Sequence, residues 1–266
     1  MIDKQQNAKL RERFNPDGSQ LRKHQMRMLD MLIYFDNVCK EHNIKYWINS
    51  GTLLGAVRHG GFIPWDDDLD ITMLRDDYKK LELIWLDSDY FLQTYKSDPF
   101  YVVPYAKMRD KNSIIKEHSQ DANYTYKGIY IDIFVMEACP HWAAYISGHV
   151  CWIILKLGSR AKSKLSKSIF YILKKTFYLS IGVLRPILRM FASKNILRFS
   201  YGSAFSNYTL LYDKVFPLSE IEFEGHSFPS PNNPDNCLRR FYGDYLCLPD
   251  LNALQPHLTE MSFLDK

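Results

Sequence analysis

Residues 51–71 read GTLLGAVRHGGFIPWDDDLDI, and this stretch decides how the chain around it folds. Thr52 to His59 favour a short helix. A pair of glycines ends this helix, and the proline after them favours an extended chain. Asp68 to Met73 has the pattern of a strand. The stretch therefore predicts a helix, a loop and a strand, with a cluster of four aspartates where the loop enters the strand.

Helical and strand patterns alternate on both sides of this stretch. Apolar residues recur at helical spacing over residues 19–42, and residues 128–135, GIYIDIFV, have the composition of a buried strand. With 266 residues, 46% of them hydrophobic, the chain can bury a sizeable core. We predict an α+β fold, one sheet flanked by helices, in a single domain over 1–266. Further elements are predicted at 45–49 (strand), 75–86 (helix) and 237–245 (helix and loop).

The middle of the chain is strongly basic although the net charge is only +4. Residues 138–212 contain no Asp or Glu, and their lysines and arginines alternate with large apolar residues. That mixture predicts a basic amphipathic helical insertion at about 140–200. Its helices would either lie on an anionic membrane surface or pack on the domain with solvated lysines. The basic residues are Lys156, Arg160, Lys162, Lys164, Lys167, Lys174, Lys175, Arg185, Arg189, Lys194 and Arg198.

Several protein classes fit the sequence poorly. The longest uncharged run of the basic segment, residues 138–155, contains a proline and two histidines and is a poor match to a membrane-spanning helix. The N-terminus is polar and has no apolar signal region, so we expect a cytoplasmic protein, with a peripheral position at the inner face of the membrane as a second option. The five cysteines form no C-x-x-C pair, which argues against a disulfide framework and a thiolate zinc site. No nucleic-acid-binding module is recognisable, so we expect no nucleic-acid partner.

Three aspartates are candidate metal ligands. On a strand, Asp68 and Asp70 point to the same face, and ionising both is costly unless a divalent cation lies between them. Asp132 lies inside the predicted buried strand and needs a partner, which a shared metal would provide. The alternatives are a solvated acidic turn and a salt bridge from Asp132 to a lysine or arginine. A calcium loop is excluded, because Ile71 stands where its glycine is required and Asp77 where its glutamate is required.

The turn before the short helix is a candidate anion site. The first amides of a helix lack internal partners, and Gly51 would let a phosphate approach the backbone beside Thr52. The simpler interpretation is an N-cap. Asp66 and Asp67 lie in the loop entering the strand, and either could assist the metal or bind substrate. Three nearby cations could neutralise phosphate oxygens or could be surface residues: Arg58, Lys107 and Arg109.

These residues carry a resemblance to a known family. The runs YWINSGTLLGAVRHGGFIPWDDDLDITMLRDDY, YAKMRDKNS, GIYIDIF and FYGDYLCLP resemble the LicD family of phosphotransferases, which includes the fukutin-type proteins. The resemblance is specific at residues 46–78 and constrains the basic segment least. It implies a nucleotidyltransferase-like mixed sheet flanked by helices, with Mg²⁺ or Mn²⁺ held by aspartates. Asp68 and Asp70 match the metal-binding pair of the family, and Asp132 matches its third acidic position.

The resemblance also implies a reaction. A phospho-substituent, most often phosphocholine, would pass from a CDP-linked donor such as CDP-choline to a sugar hydroxyl of a glycan or lipid-linked oligosaccharide. Asp68, Asp70 and Asp132 would be catalytic, and phosphate would bind at Gly51 and Thr52. Two alternatives remain open: a nucleotidyltransferase that transfers the nucleotide, and a non-catalytic scaffold associated with a membrane.

Overall fold

A computed structural model describes residues 3–85, 88–116, 123–252, 254 and 261–264. Within these residues the helices are α1 (Lys4–Phe14), α2 (Gln20–Glu41), α3 (Ser50–His59), α4 (Arg75–Ile84), α5 (His141–Arg160), α6 (Lys164–Arg189), α7 (Tyr212–Val215) and α8 (Pro234–Tyr242). The strands are β1 (Trp47–Ile48), β2 (Asp70–Leu74), β3 (Tyr90–Gln93), β4 (Ala106–Asp110), β5 (Ser113–Ile115), β6 (Tyr130–Glu137), β7 (Ile196–Phe199), β8 (Thr209–Leu211), β9 (Ser219–Phe223), β10 (His226–Ser230) and β11 (Met261–Phe263).

One mixed sheet organises the molecule. Its strands lie in the order β1-β2-β6-β4-β3, and β7 joins the far end of β6 and carries β8. The central pair, β2 and β6, is parallel, whereas β1 pairs with β2 and β4 with β6 in antiparallel register. Helices flank this sheet, so the predicted α+β fold with a mixed sheet is confirmed.

The core packs against the central strands. Ile131, Ile133 and Val135 alternate along β6 and are buried, as a period of two residues requires. Helix α2 contributes an apolar stripe that includes Met28 and Phe35. It begins where the sequence predicts, because the Ser19 hydroxyl accepts a hydrogen bond of 3.1 Å from the amide of Arg22.

The basic segment forms a hairpin of two long helices, α5 and α6. These helices pack on each other through a smaller core that contains Cys151, Phe170 and Phe177. The hairpin is fixed to the domain at Lys174, whose ammonium group donates to the carbonyl oxygens of Asp98, Pro99 and Tyr101. Across the part of the chain that the structure describes, no helix has both the length and the apolar character needed to span a bilayer.

Two differences from the predicted elements bear on the centre of the sheet. Strand β2 begins at Asp70 rather than Asp68, although the alternation continues outside the strand, since Leu69 is buried and Asp68 is exposed. Strand β4, a member of the central sheet, is missing from the predicted elements because its sequence, AKMRD, carries three charged residues. Packing of its neighbours outweighs the low strand propensity of such a segment. The cysteines are free thiols in the structure.

Candidate active site

Three charged side chains lie in a row across the centre of the sheet. Asp70 at the start of β2 is in register with Asp132 on β6, and Asp132 is in register with Lys107 on β4. Lys107 Nζ lies 3.1 Å from Asp132 Oδ1, and both side chains are 13% exposed. The sheet itself therefore brings together two carboxylates that are 62 residues apart in the sequence, with a lysine beside them.

The aspartate loop lies next to this row. Carboxylate oxygens of Asp66, Asp67 and Asp68 all lie within 4.8 Å of one another, close enough to share a metal ion. Helix α2 holds the loop backbone: Gln25 donates to the carbonyl of Asp66 at 2.8 Å, and the His24 ring lies 2.9 Å from the carbonyl of Asp67. These two buried side chains of α2 thus fix the geometry of the loop.

The N-terminus of α3 is bonded directly to Asp70. The amide of Asp70 donates to the Thr52 hydroxyl at 2.7 Å, and its carbonyl accepts from the amide of Asn49 at 3.1 Å. Among the residues that the structure describes, no side chain caps α3, and the first turn of this helix has no acidic residue. A Cβ atom added to Gly51 would lie 2.9 Å from Asp66 Oδ2 and 4.0 Å from Asp70 Oδ2. Glycine therefore keeps the helix terminus close to the carboxylates.

The carboxylates repel one another. Burial, followed by the charges of Asp132, Asp68 and Asp66, raises the pKa of Asp70 well above its usual value. Burial raises the pKa of Asp132 to about 6, while Lys107 opposes the rise. Burial and the neighbouring Asp68 and Asp67 raise the pKa of Asp66 to about 7. The cluster gathers negative charge that the surrounding protein compensates only in part.

The two arginines of the predicted phosphate site are buried. Arg58 donates to the carbonyls of Tyr245 and Cys247, at 2.9 and 3.2 Å, and ties α3 to the segment after α8. Arg109 donates to the Gln93 side chain at 2.6 Å and to the carbonyl of Gly128 at 3.0 Å. These contacts give both arginines a structural role. Their binding of phosphate stays a prediction, and Lys107 is the better-placed cation.

Two further residues lie at this site. Asp66, which the sequence indicates, with Asp67, as able to assist the metal or bind substrate, belongs to the cluster within the loop. Tyr242, at the end of α8 and 44% exposed, lies near enough to Asp70 and Asp66 that their charges, after burial, raise its pKa. Tyr242 lies in the run FYGDYLCLP that carries part of the family resemblance, but its place at the site depends on how α8 packs.

The donor atoms suit a divalent cation of the magnesium type. The oxygens are carboxylates, which Mg²⁺ and Mn²⁺ prefer. The buried Oδ1 of Asp132 accepts no hydrogen bond among the described residues, although Lys107 lies near it. A cation would satisfy this oxygen and offset the repulsion among the aspartates, so the residues fit the group. An α+β domain with paired carboxylates beside an uncapped helix terminus is typical of metal-dependent phosphoryl transfer.

Comparison with known proteins finds similarity to one family. The model of the LicD/FKTN/FKRP nucleotidyltransferase domain matches residues 43–170, which include the aspartate loop, β2, β4 and β6. Residues 43–170 thus resemble the LicD family domain.

Individual relatives agree with this assignment. The chain is 26% identical over 264 residues to the lipopolysaccharide cholinephosphotransferase LicD of Haemophilus influenzae, an alignment that covers 92% of this chain and 98% of that protein. It is 41% identical over 49 residues to the human ribitol 5-phosphate transferase FKRP, covering 18% of this chain and 10% of that protein. An uncharacterised protein of Rickettsia prowazekii is 64% identical over 44 residues, 16% of either chain. The matches support a phosphotransferase.

Proposed function

We propose that this protein transfers a phospho-substituent, with phosphocholine as the first candidate, from a CDP-linked donor to a sugar hydroxyl of a cell-surface glycan or glycolipid. The observation that carries the proposal is the pairing of Asp70 with Asp132 beside the uncapped N-terminus of α3. The names of two relatives, a cholinephosphotransferase and a ribitol 5-phosphate transferase, support this type of group.

Asp68, Asp70 and Asp132 would hold Mg²⁺ or Mn²⁺ in this proposal, with Asp66 and Asp67 close by. When bound, the ion supplies positive charge against the donor diphosphate. The aspartates suit this role because their carboxylates offer oxygen donors and negative charge. The hydrogen bond from the amide of Asp70 to the Thr52 hydroxyl keeps the first residue of β2 in place.

Phosphate binding falls to the N-terminus of α3 and to Lys107. The first amides of α3 have no side-chain cap and can donate to phosphate oxygens beside Gly51. Lys107 would neutralise charge on the transferring group and on departing CMP. With a pKa of about 6, Asp132 is mostly ionised at neutral pH, so it could accept the proton of the acceptor hydroxyl if its oxygens are not all bound to metal.

The acceptor determines where the enzyme works. A glycan or lipid-linked oligosaccharide that is still being assembled lies at a membrane, and we place the site of action at the inner face of the cytoplasmic membrane. The quaternary ammonium of choline would need aromatic contacts, and the exposed rings of Tyr208 and Tyr242 are available for them.

The test is product analysis. Purified protein is incubated with Mg²⁺, a panel of CDP-linked donors and the native glycan extract, and ³¹P NMR and mass spectrometry identify the products. The expected result is release of CMP with a matching phosphodiester on the glycan, lost when a chelator is added. The exposed Asp76→Asn variant is the matched control for Asp70→Asn, since both remove one carboxylate near β2 and only Asp70 lies in the proposed site.

Other products would identify the alternatives. Release of diphosphate with a nucleotide on the acceptor would replace the proposal with nucleotidyl transfer. Absence of any product across the panel, in a preparation that remains folded and binds metal, would favour a scaffold.

A further inference from the structure

The outer face of α5 is apolar although it faces solvent. Its inner face packs through small residues such as Ala144, Gly148 and Cys151. On the outer face the indole rings of Trp142 and Trp152 are 56% and 51% exposed. Six large apolar residues make up most of this outer face: Trp142, Tyr145, Ile146, Trp152, Ile153 and Leu157.

Helix α6 has a second exposed apolar stripe. Its inner face is marked by Phe170, Phe177 and Ile181, which are buried. At 100° per residue, the exposed apolar residues fall on the opposite side of the helix. Ile172 is 61% and Leu179 66% exposed. The stripe consists of Leu165, Ile169, Ile172, Leu179, Val183 and Ile187.

Positive charge surrounds these two faces. Two cations of the hairpin already have partners in the domain: Lys174 binds backbone carbonyls, and Arg185 pairs with Glu137. The others are exposed, and the sequence places no acidic residue from 138 to 212 to neutralise them. These exposed cations are Lys156, Arg160, Lys162, Lys164, Lys167, Lys175 and Arg189.

We propose that the α5–α6 hairpin docks on a bilayer of anionic phospholipid, with its apolar faces in the headgroup boundary and its cations against lipid phosphates. Apolar surface of this extent is unusual on a protein with no partner. Exposed tryptophans and lysines together are typical of helices that lie in a membrane interface.

Charge complementarity decides between a membrane and a second copy of this chain. A two-fold dimer through the hairpin would bring seven exposed cations of one copy toward the same seven of the other, without acidic residues to pair them. Anionic lipid instead neutralises each of them. The depth of insertion is shallow, since neither helix can cross the bilayer.

The experiment measures binding of the full chain to vesicles of phosphatidylcholine with and without phosphatidylglycerol, at low and high salt. We expect binding only where phosphatidylglycerol is present, weakened by salt. Changing Lys156, Lys164 and Lys175 together to Gln should weaken binding by roughly a hundredfold. Changing Lys9, Lys23 and Lys45 to Gln removes the same charge outside the hairpin and should have little effect.

A second measurement follows the apolar face. Lipids with brominated acyl chains should quench tryptophan fluorescence of the bound protein, and the double variant Trp142→Phe and Trp152→Phe should lose this quenching. Equal loss of binding in both lysine variants, absence of binding to anionic vesicles, or a salt-resistant dimer formed through this face would overturn the proposal. The assay uses neither donor nor acceptor, so its outcome is separate from that of the transferase test.

Discussion

At the scale of single residues, the fold keeps the carboxylates of the site close together although their charges repel one another. Asp70 and Asp132 are adjacent because β2 and β6 pair in parallel, and the pairing outweighs the repulsion between their carboxylates. The backbone of Asp70 is fixed on both sides by the first turn of α3. Charges that the fold keeps close at a cost in free energy are characteristic of functional sites.

The first prediction concerns Asp70. The Asp70→Asn substitution should lower the rate of transfer by at least about a thousandfold, because it removes a proposed metal ligand. The free energy of unfolding of the metal-free protein should stay equal or rise, since one buried negative charge is removed. Transfer assays and urea unfolding measure the two effects. Full activity in this variant would contradict the assigned role of Asp70.

The second prediction compares two glycines. Gly51→Ala should weaken donor binding at least about tenfold, because its Cβ would meet Asp66 Oδ2 at 2.9 Å and crowd the proposed phosphate position. Gly182→Ala, inside α6, has no atom within 4 Å and should stabilise the fold by about 1 kcal/mol. Calorimetric titration with the donor and thermal unfolding test the pair. Unchanged donor affinity in Gly51→Ala would remove α3 from the phosphate site.

Sequence alone could find the aspartates but not their geometry. The spacing of Asp68 and Asp70 and the isolated charge of Asp132 were visible as anomalies against apolar surroundings. Lys107 could be named as a cation, yet its pairing with Asp132 depends on β4, which the charged AKMRD pattern concealed. Arg58 and Arg109 are buried by contacts with distant carbonyl groups, which no local pattern encodes.

At the scale of secondary structure elements, α3 contacts the site at one end and helix α1 at the other. Its N-terminus bonds to Asp70, and its C-terminal His59 is buried between Arg58 and Asn7 of α1. The Arg58 Nε group donates to His59 Nε2 at 3.0 Å, and the other ring nitrogen lies 2.7 Å from Asn7 Oδ1. Both contacts are satisfied when the imidazole is neutral with its proton on Nδ1.

The third prediction is a pH dependence from His59. Burial, then the charges of Arg58 and Arg11, lowers the pKa of His59 to about 4. The unfolded chain protonates this residue near pH 6.5, so its contribution to stability is complete above that pH and is lost as the pH falls towards 4. The loss from this residue at pH 4.5 should be about 2 kcal/mol.

Urea unfolding at pH 7 and pH 4.5 measures this effect, with His59→Gln as the comparison. Carboxylates whose pKa is lowered, such as Asp110 and Glu224, titrate in both proteins, so the difference between the two isolates His59. An equal loss of stability in both proteins would show that the imidazole does not titrate as argued.

Long periodic elements were the easiest to predict. Helix α2 and strand β6 lie where the sequence places them, because each has an uninterrupted apolar face and, in α2, a capping serine. The helical character of the basic segment was likewise readable from its pattern. Strands β7 and β8 were not, since they are short and are defined by pairing with β6 and with each other.

At the scale of the whole molecule, the central sheet brings the aspartates together and is flanked by the helices. Metal bound at Asp68, Asp70 and Asp132 would stabilise only the folded chain, since these residues are brought together by folding. The hairpin of α5 and α6 has its own small core and is attached through Lys174 and Arg185. The molecule thus combines a sheet that carries the proposed site with a separate basic, apolar surface.

The fourth prediction is a thermal shift with metal. Mg²⁺ or Mn²⁺ at about a hundred times its dissociation constant should raise the unfolding temperature by about 5 to 10 °C, equivalent to roughly 3 kcal/mol. Scanning fluorimetry with and without chelator provides the measurement. The double variant Asp70→Asn and Asp132→Asn should lose the shift. A shift that persists in this variant would place the ion elsewhere.

The register of β2 with β6 has a consequence for synthesis of the protein. Asp70 leaves the ribosome before Asp132. A nascent chain that ends between these two residues contains α3 and the aspartate loop but not Asp132 of β6. If the proposed site is correct, activity requires that β6 has been inserted between β2 and β4. A nascent chain that lacks β6 therefore lacks Asp132 and has only part of the proposed metal site.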